Sequence, residues 1–231
     1  MLRLAILVTS RVTTFDHGGV VTLVCLDLEG VLVPEIWIGL AERTGIDALR
    51  QTTRDNPDYH SLMRRRMRLL DDHGLKISDL RTVVAEMVPL EGAVSFLERL
   101  RPQFQIVILS DAFHELVTPL MGFLGWPTLL CHRLKIEKDR MVGYRLRQED
   151  SKRCAVSAFQ GLNLKVIAVG DSYNDISMLT QADVGIFFRP PDTIISDHPD
   201  FEVINDHVAL GDAIEAAAKR LKNFNSVNIN G

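Results

Sequence analysis

Two hydrophobic patterns alternate along most of the chain. Short apolar runs, typical of strands buried on both faces, occur at residues 22–26, 105–109, 128–130, 165–169 and 184–187. Apolar residues at helical spacing predict helices at 91–100, 113–124, 152–160, 175–181 and 208–222. Strands that alternate with helices through crossovers of ordinary length predict an α/β fold, in which a parallel sheet carries helices on both of its faces.

One segment, residues 35–89, departs from this alternation. It follows the first strand directly, ends at Pro89, and contains apolar residues at helical spacing that predict helices at 36–44, 59–72 and 78–87. Ser78 is the predicted cap of the third helix, and residues 54–58 are predicted as a loop. The sequence therefore predicts a small helical insert on a core formed by residues 20–34 and 90–222.

Three further segments complete the prediction. Residues 132–147 alternate with period two and contain turn signals, which favours a hairpin. Residues 1–19 are predicted as an N-terminal extension outside the working fold, because their apolar run is too short for a signal peptide and no cleavage pattern follows it. The Asn-rich residues 223–231 are predicted as a disordered tail.

Composition and charge bear on which partners the protein could bind and on its location in the cell. The 231 residues are enough for one substantial core and a smaller unit, and the net charge of -4 argues against nucleic acid or an anionic membrane as the main partner. No apolar run approaches the ~20 residues that span a bilayer. The three cysteines lack CxxC spacing and are interpreted as reduced thiols of a cytoplasmic protein. A homodimer is the candidate assembly.

Polar residues follow three of the predicted strands. Asp27 and Glu29 follow the first, Ser110 follows the second, and Asp171 and Asp175 follow the apolar run at 165–169. The carboxyl ends of parallel strands share one edge of a sheet, so the three aspartates are expected to converge. Carboxylates ~4 Å apart repel by roughly 4 kcal/mol at an effective dielectric near 20. The cluster therefore predicts a bound divalent cation, and oxygen ligands favour Mg²⁺.

A hydroxyl donor and a fixed positive charge accompany these carboxylates. Ser110 supplies the hydroxyl and Lys152, near the start of its helix, supplies the charge, which together with a metal suit a transferring phosphoryl group. Two alternatives remain from the residues alone. Asp27 and Glu29 could be solvated turn residues, and the set could belong to a phosphorylatable signalling module of the receiver type. The helical insert and the late GDSYND motif argue against the second.

The motifs LDLEG, ILSDAF, DSKR and GDSYND occur in this order between Leu26 and Asp175. In this order they resemble the haloacid dehalogenase superfamily of aspartate-dependent phosphatases, and the helical insert resembles the cap of its phosphoserine phosphatase branch. DLEGVLVPEIW and ILSDAF resemble the phosphoserine:homoserine phosphotransferase group within that branch. The resemblance implies a Rossmann-like core and Mg²⁺-dependent transfer from O-phospho-L-serine to water, L-homoserine or both. Another small phosphate ester is the alternative substrate.

The resemblance also implies roles for the residues at the sheet edge. Asp27 would be the nucleophile that becomes an aspartyl-phosphate, and also a metal ligand. Glu29 would carry the proton of the leaving and attacking hydroxyls, while its backbone carbonyl helps to hold the metal. Asp171 would be a metal ligand, and Asp175 would be a ligand or would orient a bound water.

Substrate contacts follow from the same resemblance. Ser110 and Lys152 would hold the phosphoryl oxygens, and Asn174 would line the pocket or cap a helix. Glu35 would bind the substrate ammonium. Arg66 would bind the substrate carboxylate, since a planar guanidinium pairs with both oxygens; the alternative for Arg66 is a solvated helix face.

Two departures from the superfamily pattern bear on chemistry. Glu29 stands where most members carry aspartate, and a free glutamate titrates near ~4.3, so burial would have to raise its pKa for acid catalysis near neutrality. Asp111 and Ala112 stand where phosphoserine phosphatases carry glycines. Asp111 would either contact the ammonium of an acceptor or cap the helix that begins at Phe113.

Overall fold

The computed structural model describes residues 21–52 and 58–228, with side chains described as far as residue 223. The predicted extension at residues 1–19, and residues 54–57 of the predicted loop, lie outside this part. Among the described residues, no helix has the length and apolar character needed to cross a membrane.

A seven-stranded sheet forms the centre of the molecule, in the order β4-β3-β2-β1-β5-β6-β7. Its strands are β1 (Thr22–Leu26), β2 (Gln105–Phe113), β3 (Thr128–Glu137), β4 (Arg140–Arg145), β5 (Lys165–Gly170), β6 (Val184–Phe188) and β7 (Glu202–Ile204). All neighbours pair in parallel except β3 and β4, which form the predicted hairpin. The predicted parallel α/β fold is confirmed.

Helices cover both faces of the sheet. They are α1 (Ile36–Thr44), α2 (Tyr59–Asp72), α3 (Ile77–Glu86), α4 (Ala93–Leu100), α5 (His114–Phe123), α6 (Ser151–Gly161), α7 (Ile176–Gln181), α8 (Asp192–Asp197) and α9 (His207–Asn228), with 3₁₀ turns at Asp47–Arg50 and Tyr173–Asp175. Val24 and Leu26 of β1 pack into a cluster with α4, α5 and α9, whereas Leu23 and Cys25 pack with α6, α7 and α8 on the opposite face. The central strand β1 is therefore buried on both faces.

Several elements differ from the prediction. The residues predicted as a short strand at 128–130 and as half of a hairpin form one continuous strand, β3, which changes partner from β2 to β4 along its length. Neither α8 nor β7 is predicted; at six and three residues, both carry only a weak periodic signal. The last helix extends to Asn228, where a disordered tail was predicted from residue 223.

The predicted cap at Ser78 is wrong. Helix α3 begins at Ile77, and Asp79 accepts a hydrogen bond from the backbone N–H of Lys76 (2.8 Å) at the helix start. Ser78 instead donates its backbone N–H and its hydroxyl to the carboxylate of Asp139, at 3.1 and 2.5 Å. Since Asp139 lies in the turn between β3 and β4, these bonds attach α3 to the hairpin.

The helices α1, α2 and α3 lie between β1 and α4 in the chain, as predicted for the insert. They contact α5 and β4, beside the carboxyl edge of the sheet. The two connections to the core run side by side: Leu90 N–H donates to Leu32 O (2.9 Å), and the His207 ring lies 2.8 Å from Val31 O and 2.9 Å from Glu91 O. The domain boundaries at residues 35 and 89 stay a prediction.

Candidate active site

Three aspartates converge at the carboxyl edge of the sheet. Asp27 and Asp171 each follow the last residue of a central strand, and the Asp27 N–H donates to Val169 O (2.9 Å). Asp175 ends a 3₁₀ turn, where its Oδ2 accepts the backbone N–H groups of Asp171 (2.9 Å) and Ser172 (3.1 Å). One carboxylate oxygen from each aspartate lies within 4.8 Å of the other two, and all three residues are buried.

This donor set fits a magnesium ion. Burial raises the pKa of Asp27 well above its usual range, and the nearby Asp175 carboxylate raises it further, while Lys152 lowers it. The ionised form of the cluster therefore needs more positive charge than the lysine supplies. Clustered carboxylate oxygens are ligands that Mg²⁺ prefers, so Asp27, Asp171 and Asp175 could hold it.

Gly30 permits the approach of the first loop to Asp171. Its φ is +81°, in the left-handed region that L side chains rarely adopt. A Cβ atom at this position would lie 2.2 Å from Asp171 Oδ2. Both the backbone conformation and the available space therefore require glycine in the LDLEG motif.

Lys152, in the first turn of α6, neutralises part of the negative charge of the three aspartates. Its Nζ lies 2.8 Å from Asp27 Oδ1 and 2.7 Å from Asp175 Oδ1. Burial acts to lower the pKa of Lys152, but the carboxylates of Asp175 and Asp27 outweigh it and raise this pKa well above its usual value. The side chain therefore stays an ammonium beside the predicted nucleophile.

Ser110 lies in the irregular end of β2 rather than in a loop after the strand. Strand β2 continues to Phe113, with a register shift relative to β3 between Leu109 and Phe113. The buried Ser110 Oγ accepts the N–H of Ala112 (3.1 Å), which orients the hydroxyl so that its proton can be donated to a ligand. This register shift, a β-bulge, thus places the side chain of a strand residue, Ser110, in the site.

Glu29 lies at the junction of the sheet edge and the insert. Its Oε1 accepts the backbone N–H of Ile36 (2.8 Å) at the start of α1. Burial, together with the charge of Glu35, raises the pKa of Glu29 to about 7. A pKa raised in this direction suits acid catalysis near neutrality, although glutamate stands where most superfamily members carry aspartate. Metal ligation by its backbone carbonyl stays a prediction.

Arg66 lies on the buried face of α2, so its interpretation as a solvated residue is wrong. Its exposed fraction is 6%, whereas the neighbouring arginines of the RRRMRLL stretch, Arg64, Arg65 and Arg68, are exposed. The guanidinium lies over the Trp37 ring, 4.3 Å from its centroid, and Nη2 donates to Gln51 O (3.0 Å). Burial lowers the pKa of Arg66 to about 10, against the charges of Glu29, Tyr59 and Glu35. Its buried Nε has no hydrogen-bond partner among the described residues.

Asp111 and Asn174 contact one another, and neither side chain caps a helix. Asn174 Nδ2 donates to Asp111 Oδ2 (2.7 Å), and the side chain does not cap a helix. Helix α5 has no side-chain cap, so Asp111 as a helix cap is wrong. Burial acts to raise the pKa of Asp111, but Lys152, His132 and Asn174 outweigh it and hold this pKa well below the usual range.

One cavity of about 50 Å³ brings together the predicted site residues, with the exception of Asp175, which contacts the lining residue Lys152. Sequence reasoning missed five residues that also line it, namely Trp37, Thr52, Tyr59, Ala112 and Ser172. One signal was available: Tyr59 lies seven residues before Arg66, two helical turns away on the same face. Trp37 gave no such signal.

Comparison with known proteins identifies the family. The model of the haloacid dehalogenase-like hydrolases matches residues 28–180. The chain belongs to this family. It is 57% identical over 189 residues to phosphoserine phosphatase ThrH of Pseudomonas aeruginosa, covering 81% of this chain and 92% of that protein. It is 58% identical over 186 residues to a phosphoserine phosphatase of Pseudomonas syringae pv. tomato, covering 80% and 78% respectively.

Solved structures agree at the level of the fold. A substrate-bound phosphoserine phosphatase complex matches with a TM-score of 0.68 at 20% identity, covering 81% of this chain and 94% of that one. The crystal structure of an apo phosphoserine phosphatase gives 0.67 at 21%, with the same coverage. The resemblance seen in the motifs is confirmed, and the family assignment decides against the receiver-type alternative.

Proposed function

We propose that this enzyme transfers the phosphoryl group of O-phospho-L-serine, through an aspartyl-phosphate on Asp27, to water, to L-homoserine or to both. The observation that carries the proposal is the buried guanidinium of Arg66 in the same small cavity as Asp27. A phosphate ester with a carboxylate at its other end would satisfy both ends of this cavity. The relatives named phosphoserine phosphatase support the same substrate.

The phosphoryl end of the cavity supplies a nucleophile, a proton carrier and two donors. An oxygen of Asp27 attacks phosphorus, the bond from phosphorus to the serine oxygen breaks, and Glu29 gives its proton to that oxygen. In the second half, the acceptor hydroxyl gives its proton to Glu29 as its oxygen attacks phosphorus and releases Asp27. Lys152 and Ser110 stabilise the charge of the phosphoryl oxygens throughout.

A magnesium ion belongs to the same end of the cavity. Asp27, Asp171 and Asp175 would hold it, and Mg²⁺ would supply positive charge to the phosphoryl oxygens. The aspartates contribute by fixing that position, since Asp175 is itself fixed by the backbone N–H groups of Asp171 and Ser172.

The amino-acid end lies on the helical insert. Arg66 would pair with the substrate carboxylate through Nε, and Glu35, at the start of α1, would pair with the ammonium. A cavity of about 50 Å³ holds on the order of one or two water molecules. Phosphoserine is larger, so we propose that α1–α3 move away from the sheet edge to admit it, as expected of a cap. Closure then excludes water from the phosphoryl group. The proposal also includes a cytoplasmic location and a homodimeric assembly.

Product analysis tests the proposal. The enzyme with Mg²⁺ is incubated with phosphoserine, with and without L-homoserine, and ³¹P NMR separates inorganic phosphate from O-phosphohomoserine. We expect turnover of phosphoserine that a chelator abolishes and Mg²⁺ restores. O-phosphoethanolamine is the matched control, because it keeps the ammonium and lacks the carboxylate. If phosphoethanolamine reacted as fast as phosphoserine, the amino-acid pocket would be wrong and another phosphate ester would be the substrate.

A further inference from the structure

A buried histidine outside the sequence motifs contacts one of the site residues. His132 lies on β3 opposite Phe113 of β2, with an exposed fraction of 3%. Its Nδ1 accepts the backbone N–H of Arg147 (3.2 Å). An imidazole nitrogen that accepts carries no proton, so the N–H of the neutral ring is on Nε2. Nε2 lies 3.3 Å from Asp111 Oδ1, and His132 therefore presents a donor to this carboxylate.

Asp111 is held on its other side as well. Asn174 donates to its Oδ2 (2.7 Å), and the Tyr59 hydroxyl donates to its backbone carbonyl (3.0 Å). Lys152 Nζ is 3.8 Å from the same Oδ2. Both carboxylate oxygens thus have a partner, and the contact with His132 is supplied by the β3–β4 hairpin rather than by the residues around Asp27.

The Asp111–Asn174 pair lies between two cavities. One is the cavity of about 50 Å³ beside Asp27, and the other is a larger space of about 440 Å³ bordered by His132 and the start of α6. Four residues line both cavities, namely Tyr59, Asp111, Lys152 and Asn174. The hydrogen bond between Asp111 and Asn174 therefore lies at the boundary between the phosphoryl site and the larger space, and this pair is called the partition below.

We infer that His132 is a positioning residue that holds Asp111 against Asn174, and that this partition limits the access of water to the aspartyl-phosphate. The inference rests on the proposed function. Either acceptor gives the same step: the bond from Asp27 to phosphorus breaks, the bond from the acceptor oxygen to phosphorus forms, and the acceptor proton passes to Glu29. His132 acts through Asp111 and sets how often that acceptor is an alcohol rather than water.

Isotope exchange measures the ratio of transfer to an alcohol over transfer to water, and it does not assume that homoserine is the acceptor. The enzyme is given phosphoserine and labelled L-serine, and the formation of labelled phosphoserine is compared with the release of inorganic phosphate. Replacing His132→Phe removes the donor to Asp111, and we expect the ratio of exchange to hydrolysis to fall about tenfold, as for the loss of one hydrogen bond to a charged group. His132→Gln places an amide N–H near the former Nε2 and should restore the ratio to near that of the unmodified enzyme.

Further variants separate positioning from general damage. His132→Asn keeps an acceptor for the Arg147 N–H but is too short to reach Asp111, so it should behave like His132→Phe even if the latter folds poorly. In an Asp111→Ala background, His132→Phe should change the ratio no further, because its effect passes through Asp111. An unchanged ratio in His132→Asn would overturn the inference, and so would phosphoserine hydrolysis without any serine exchange in the unmodified enzyme. Absence of phosphoserine turnover would instead overturn the proposed function.

Discussion

The two ends of the small cavity are held in different ways. At the sheet edge, Asp27 and Asp175 are fixed by strand ends, backbone N–H groups and Lys152, which contacts both carboxylates at 2.7–2.8 Å. The other end is the helical wall, the side of the cavity formed by α1 and α2. There Arg66 lies over the Trp37 ring, and its buried Nε has no hydrogen-bond partner among the described residues. The protein's own groups thus already hold Asp27 and Asp175, whereas the second end has a buried donor that a ligand would satisfy.

This difference separates chemistry from substrate choice. Groups at the sheet edge are held by the protein's own contacts, so they suit the charge that develops during phosphoryl transfer. A buried guanidinium with an unused donor is costly until a carboxylate binds it, and that cost favours ligands which carry one. Damage to the sheet edge should therefore lower kcat, and damage to the wall should raise KM for phosphoserine.

The largest expected effect is the loss of the nucleophile. Asp27→Asn keeps the size of the side chain and a carbonyl oxygen for Lys152, so the fold should persist, but the amide cannot form the covalent intermediate. Turnover should fall on the order of 10⁴-fold or more. Steady-state phosphate release measures the loss, and circular dichroism checks the fold. Full activity in the folded variant would show that Asp27 is not the nucleophile.

At the other end, Arg66→Ala should act on substrate binding. Loss of a buried charge partner should cost roughly 2–5 kcal/mol in binding of phosphoserine, seen as a raised KM. Turnover of p-nitrophenyl phosphate, which lacks the amino-acid group, should change little. Arg68→Ala is the matched control, because Arg68 is exposed on the same helix. If Arg66→Ala bound phosphoserine as well as the unmodified enzyme does, the wall would have no part in substrate choice.

The sheet edge could be predicted from the sequence because strand periodicity and parallel pairing suffice to bring Asp27, Asp171 and Asp175 together. The wall could not, since nothing in the spacing of α1 and α2 fixes how one helix packs across the other. Arg66 was found through the resemblance, and Trp37, which stacks on it, was missed. His132 was missed because its partner, Asp111, is on a neighbouring strand and no local pattern links the two.

The smallest effect should come from the ring beneath Arg66. Trp37 is 5% exposed, and its contact with the guanidinium is of the cation–π type, typically about 0.5–2 kcal/mol. Trp37→Leu should therefore raise KM for phosphoserine about 3- to 30-fold and leave kcat nearly unchanged, whereas Trp37→Phe, which keeps a ring face, should fall in between. Initial rates over a range of phosphoserine concentrations separate the two constants. A fall in kcat at constant KM would instead show that the contact between Trp37 and Arg66 acts in the transition state rather than on the bound substrate.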